Sequence, residues 1–236
     1  MANLNPSKLE GTFGSEVVNR SLLYGVLGYL PEETCNVLIL PGPKQGQMAL
    51  LLESNGYQVS RLCDENDDMP GCINTNIDSL PEESFGVVIA PGWLAGEGET
   101  EKITRQAMRL LVDGGFFIGS VASRFAAAID LAQISIDNAK LLASGIENKA
   151  WQESNELFTP NEVALVLEAV EFEVVDFYGW EIALSRLSDK QLGSYDWTEE
   201  QVESFMELEF RLAQERSILG IAPTIQFICK KHNPEN

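Results

Sequence analysis

The run Asn36 to Gly46, NVLILPGPKQG, is where residue types and spacing first suggest chemistry. Val37, Leu38, Ile39 and Leu40 form a short continuous apolar stretch, the pattern of a parallel strand covered on both faces. Pro41, Gly42 and Pro43 stop that strand, Gly46 permits close backbone approach, and strong helix formers resume from Met48 to Glu53. A strand, a glycine loop and a helix in this order can hold a nucleotide-like cofactor, because the helix N-terminus favours an electronegative group. Lys44 and Gln45 stand where such loops carry a further glycine and a small residue.

Other candidate groups lie further along. Lys44 could meet a phosphate, but without a Gly-Lys-Ser/Thr signature it reads as a solvated turn lysine. Glu65, Asp67 and Asp68 lack the alternating oxygen spacing of a calcium loop and read as an acidic turn. Arg124 could bind a substrate carboxylate or pair with one of the chain's many acids. Trp93 reads as a loop tryptophan packing a lid or as a substrate contact, and Tyr178 with Trp180 as core or ligand aromatics. Four cysteines occur, Cys35, Cys63, Cys72 and Cys229, without a Cys-x-x-Cys pair, so neither a zinc site nor a redox motif is indicated. Cys35 and Cys229 sit beside or within apolar strands, as buried thiols of a reduced cytoplasmic protein would. The one histidine, His232, lies in the polar tail KKHNPEN, which argues against histidine catalysis.

The elements that must position these residues alternate. A helix is expected around Glu16 to Leu30, then the first strand, a helix over Gln47 to Asn55 stopped by Gly56, and a strand over Tyr57 to Cys63. A short strand near Cys72 to Thr75 and the apolar strand Ser84 to Gly92 follow. Ile103, Ala107, Leu110 and Leu111 have helical spacing, and Asp113-Gly114-Gly115 turns the chain into a fifth strand, FFIGSV. Ala122 to Ala150 reads as a helical lid. Thr159-Pro160-Asn161-Glu162 is a capping box with proline at N1, Thr198 to Gln201 is another, and strands are expected over Phe172 to Trp180 and Pro223 to Lys231.

The chain has 236 residues, 44% of them apolar, enough for one sizeable core, and it is read as a single domain over 1–236 with helical insertions near 122–150 and 183–219. Its formal charge of -20 repels phosphate backbones and anionic membrane surfaces, so no nucleic-acid or membrane partner is expected. The N-terminus lacks the basic and apolar regions of a signal peptide, which points to the cytoplasm.

The order of elements predicts an α/β fold of three layers with a ligand at the carboxyl ends of the strands. Over about Glu33 to Lys231 the chain resembles the class I S-adenosylmethionine-dependent methyltransferases. LPEESFGVVIAPGWL resembles the fourth-strand region, RLLVDGGFFIGSV the Gly-Gly turn and fifth strand, and LFTPNEVALVLEAVEFEVVDFYGW the late helix and sixth strand. The resemblance implies a Rossmann-like, mostly parallel sheet of seven strands whose last strand is antiparallel. It also implies S-adenosylmethionine as cofactor and a small-molecule methyl acceptor.

On that resemblance Gly42, Lys44 and Gly46 form the cofactor loop, Asp64 meets the ribose, Asp78 (or Asn76) the adenine, and Pro91 completes the cofactor site. Trp93, Arg124 and Trp180 are then the acceptor-side candidates. The pattern departs from the family at the binding positions. Leu40 stands where an acid would end the first strand, Lys44 replaces the middle glycine, Cys63 the ribose acid and Gly86 an aspartate. These departures support the alternative of a non-catalytic, methyltransferase-like scaffold or partner protein that has lost the cofactor.

Overall fold

The computed structural model describes residue 17 and residues 26–30, 35–42, 45–63, 71–73, 75–92, 99–145, 157–193 and 196–232. Within them lie eight strands: β1 (Asn36–Ile39), β2 (Gln58–Leu62), β3 (Cys72–Ile73), β4 (Phe85–Ala90), β5 (Leu111–Ser123), β6 (Leu157–Phe158), β7 (Phe172–Trp180) and β8 (Thr224–Lys231). The helices are α1 (Gln45–Ser54), α2 (Glu99–Leu110), α3 (Arg124–Ala132), α4 (Ile136–Ala143), α5 (Pro160–Glu168), α6 (Asp189–Leu192) and α7 (Glu199–Ala213).

The strands form one sheet in the order β3-β2-β1-β4-β5-β8-β7, with β6 paired to β5 off that path. β1 runs parallel to β2 and β4, and β4 parallel to β5. β8 is antiparallel to both β5 and β7, as expected of the last strand. The sheet has one strand more than the expected seven, because Leu157 and Phe158 add a two-residue parallel pairing to Ala122 and Ser123.

Both faces of the sheet are buried, which explains the unbroken apolar run of β1. Leu38 and Leu40 point into a core shared with α2 and α5, including Val88, Leu110, Phe117, Leu167 and Phe227. Val37 and Ile39 point the other way, to Met48 and Leu52 of α1 and to Val26 and Leu30. Fully burying each such side chain contributes about 1.5–3 kcal/mol, so the central strands anchor the sheet. α1 ends as the sequence dictates, with Gly56 at φ +90°, a conformation that costs glycine nothing.

Two local signals form as read. Thr159 accepts from the Glu162 N–H while Glu162 returns to the Thr159 N–H, completing the capping box with Pro160 at N1. Thr198 and Gln201 do the same for α7. The expected lid proves to be the helical hairpin α3–α4, and its stretch beyond Gly145 lies outside the described residues. Of the expected N-terminal helix, Val17, Val26 and Leu27 are helical, whereas Gly28, Tyr29 and Leu30 form a turn and bend.

Candidate functional site

The carboxyl ends of β1, β4 and β5 lie in one row. The Leu40 N–H donates to the Ile89 carbonyl at 2.8 Å, which continues the β1–β4 ladder one step past β1. Leu40 is buried, so the position that an acid takes in the resembled family belongs to the core. Gly42 lies against β4's exit: a Cβ on it would overlap the Pro91 carbonyl oxygen. The Gly92 N–H donates to Ser120 Oγ at 2.8 Å and ties that loop to β5. Gly42 and Pro91, both expected in the cofactor site, are thus brought together.

Gln45 holds the neighbouring gap closed. Its Nε2 donates to the Ile39 carbonyl at 3.1 Å and to the Leu62 carbonyl at 2.7 Å, bridging the ends of β1 and β2. Gly46 lies in the first turn of α1 beside Arg61, whose guanidinium lies 3.5 Å from where a Gly46 Cβ would be. Arg61 is buried inside β2, so a cation lies beneath the loop. At the end of β2, Cys63 is joined by a disulfide to Cys72 of β3, with Cα atoms 5.6 Å apart. This corrects the expectation of a wholly reduced chain. Parallel pairing of Leu62 with Ile73 brings together two cysteines that sequence spacing left unmatched. Cys35 and Cys229 remain free thiols, and burial pushes both upward in pKa.

Asp78 lies on a 3-10 turn, Ile77–Ser79, capped by Asn76, whose Oδ1 accepts from the Asp78 N–H at 3.0 Å. Its carboxylate is exposed and accepts from Gln106 Nε2 at 2.6 Å. Arg109 of α2 pins the same turn, donating to the Ile77 and Leu80 carbonyls and to Gln106 Oε1 at 2.7–2.8 Å. Asp78 therefore already has a protein partner, though its exposure leaves a carboxylate oxygen accessible.

On the acceptor side, Arg124 follows the second of the two fates read from sequence: it pairs with an acid. Its Nη1 lies 2.6 Å from Glu162 Oε1, and its Nη2 donates to the Leu157 carbonyl at 3.0 Å. Trp180 is 2% exposed and donates from Nε1 to Gln226 Oε1 at 2.6 Å. It stacks on Tyr178, whose hydroxyl lies 2.8 Å from that of Tyr29. The Trp180 ring thus packs inside the protein with its one donor used. Lys44, Asp64 and Trp93 lie outside the described residues.

The fit of an adenosyl ligand divides along the same line. Backbone groups and the first turn of α1 border the cradle, but among the described residues no carboxylate stands at the end of β1 or β2. A ribose diol bound there would need its acidic acceptor from outside the described residues. Sequence reasoning missed Gln45 as a bridging side chain, Ser120 as a loop anchor and the Cys63–Cys72 bond, since each depends on strand order. Among the described residues no group of three or more His, Cys, Asp or Glu could hold a metal, and no helix is long and apolar enough to cross a membrane.

This sheet, with its reversal of strand order beside β1 and its antiparallel β8, is the class I S-adenosylmethionine-dependent methyltransferase fold. A S-adenosylmethionine-dependent methyltransferase from Archaeoglobus fulgidus superposes with a TM-score of 0.58 at 15% identity, over 92% of this chain and 95% of that one. One from Methanosarcina mazei gives 0.55 at 16% identity, over 88% and 97%. The Burkholderia thailandensis 1,6-didemethyltoxoflavin-N1-methyltransferase, solved with 1,6-didemethyltoxoflavin and S-adenosylhomocysteine, gives 0.52 at 14% identity, over 93% and 80%. At such identities the likeness is one of fold. No protein-family model matches the chain, and no curated protein matches its sequence.

Proposed function

We propose that this chain is a S-adenosylmethionine-dependent methyltransferase acting on a small molecule, with Asp64 supplying the ribose acceptor that Cys63 cannot. One observation carries the reading: the strand order reverses between β1 and β4, which opens a crevice above their carboxyl ends, the place where open α/β sheets bind ligands. Gly42 and Pro91 meet at that crevice. When bound, S-adenosylmethionine supplies an already activated methyl group, so the protein's task is to position an acceptor in line rather than to provide a strong base. The scarcity of histidine is consistent with that demand. Asp78 lies beyond β3 for the adenine side, and Trp93, two residues after Pro91, is proposed to border the acceptor. The 1,6-didemethyltoxoflavin-N1-methyltransferase among the structural neighbours supports a small-molecule acceptor.

A second reading is favoured by Gln45. Its side chain already satisfies two carbonyls at the ends of β1 and β2, and with the Cys63–Cys72 bond it makes a cradle that is complete without ligand. In that reading the chain is a cofactor-free scaffold or partner subunit. Calorimetric titration with S-adenosylhomocysteine, run beside a thermal-shift series, separates the two. The enzyme reading expects micromolar binding that Asp64→Ala abolishes. Absence of both heat and thermal shift at millimolar ligand overturns it in favour of the scaffold.

A further inference from the structure

The α3–α4 hairpin follows directly from β5 and turns at Gln133–Ser135. Ser123 Oγ caps α3 by accepting from the Ala126 N–H, and Ser135 Oγ caps α4 by accepting from the Asn138 N–H. Its inner face, Ala126, Ala128, Leu131 and Ala139, is buried. Its outer face is unusually apolar. Of the twelve exposed large hydrophobic residues among those described, five lie on these two helices and their turn: Phe125, Ile129, Ile134, Ile136 and Leu141. Phe125 and Ile129 are one helical turn apart, and Ile134 and Ile136 flank the bend at 81% and 70% exposure. An isoleucine so exposed gains nothing for the monomer, and clustering of this kind marks an interaction surface.

Charge identifies the occupant. The chain carries -20 overall, and the exposed face of α7 presents Glu199, Glu200, Glu203 and Glu207, a surface that repels its own copy. The hairpin's fully exposed charges are Asp137 and Lys140, Asp130 is half-exposed, and Arg124 is taken by Glu162. A basic partner would be drawn to the acidic faces, and an anionic membrane would be repelled by the whole field. An apolar face whose α4 side carries an acid and a base suits a two-fold contact with itself, where each Asp137 can meet the other copy's Lys140. We infer that the outer face of the α3–α4 hairpin docks against the same face of a second copy of this chain, burying Ile134 and Ile136 at the axis.

Sedimentation velocity of the full chain from micromolar to near-millimolar concentration tests this. The wild-type chain is expected to form a dimer. Ile134→Asp with Ile136→Asp should weaken it by more than about tenfold, the loss typical of central interface residues, with an unchanged circular dichroism spectrum. Leu208→Asp on α7 should leave the dimer intact, and the single change Ile134→Ser serves if the double variant misfolds. Lys140→Asp should also weaken association, and adding Asp137→Lys should restore it. A chain that sediments as a monomer throughout, or a dimer indifferent to the Ile134 and Ile136 substitutions, overturns the inference.

Discussion

Gly42 lies so close to Pro91 that no side chain fits between its Cα and the Pro91 carbonyl oxygen. The loops that leave β1 and β4 touch through backbone, and the glycine is what permits it. Gly42→Ala is therefore expected to push the two loops apart at a cost of about 1–3 kcal/mol, the range of an overpacked site. Gly46→Ala is the contrast: the added methyl meets only ordinary contact with Arg61 and lies in the first turn of α1, so it should be neutral or slightly stabilising. Urea denaturation of both variants checks the difference.

Glu162 links the hairpin to α5. Burial alone would raise its pKa, but hydrogen bonds from the Thr159 N–H and hydroxyl and from Arg124 outweigh burial and lower it. Its stabilising contribution is present above the unfolded glutamate value, about 4.3, and is lost as pH falls through the lower folded value. Glu162→Gln should cost about 1 kcal/mol at neutral pH and flatten the acid limb of the stability profile. An acid limb identical to that of the wild type would refute the assignment.

Glu209 has the opposite sign. It is fully buried on α7, its Oε1 accepts from the Leu184 N–H at 2.6 Å, and its Oε2 has no hydrogen-bond partner among the described residues. Burial raises its pKa, Glu181 adds to the rise, and the N–H groups of Leu184, Ala183 and Ile182 oppose it. Its favourable contribution is full below about pH 4.3 and is lost as pH rises through the folded value. The Glu209→Gln chain should lack this decline, so the stability difference between it and the wild type should change with pH in the sense contrary to that of Glu162→Gln.

The Cys63–Cys72 bond closes a loop of sequence separation 9. Chain-entropy arguments for a loop of this size give about 2–3 kcal/mol, or roughly 5–10 °C in Tm for a chain of this length. Reduction, or Cys63→Ser with Cys72→Ser, should lower Tm by that amount. Alkylation of the unfolded, unreduced chain should label two thiols, Cys35 and Cys229, and reduction should reveal two more. Four thiols before reduction would remove the bond from the account.

What could be read along the chain is what short-range physics decides. The apolar run of β1, the φ-positive stop at Gly56 and the capping boxes at Thr159 and Thr198 involve neighbours within a few residues, and each formed as read. The doubly covered sheet follows from the same runs, since four consecutive apolar residues in a strand must be buried on both sides.

The site depended on partners far away in sequence. Trp180 went to the core because β7 pairs with β8 and brings Gln226 to its indole. Arg124 met Glu162 across 38 residues. Cys63 found Cys72 only through the register of β2 on β3, and Gln45 found Leu62 only because β2 lies beside β1. The sequence by itself determined the elements, their order and the cradle's backbone. Tertiary structure alone decided which polar side chains were consumed in holding that cradle together, because a hydrogen bond requires a partner within about 3 Å and only strand order sets such distances between remote residues.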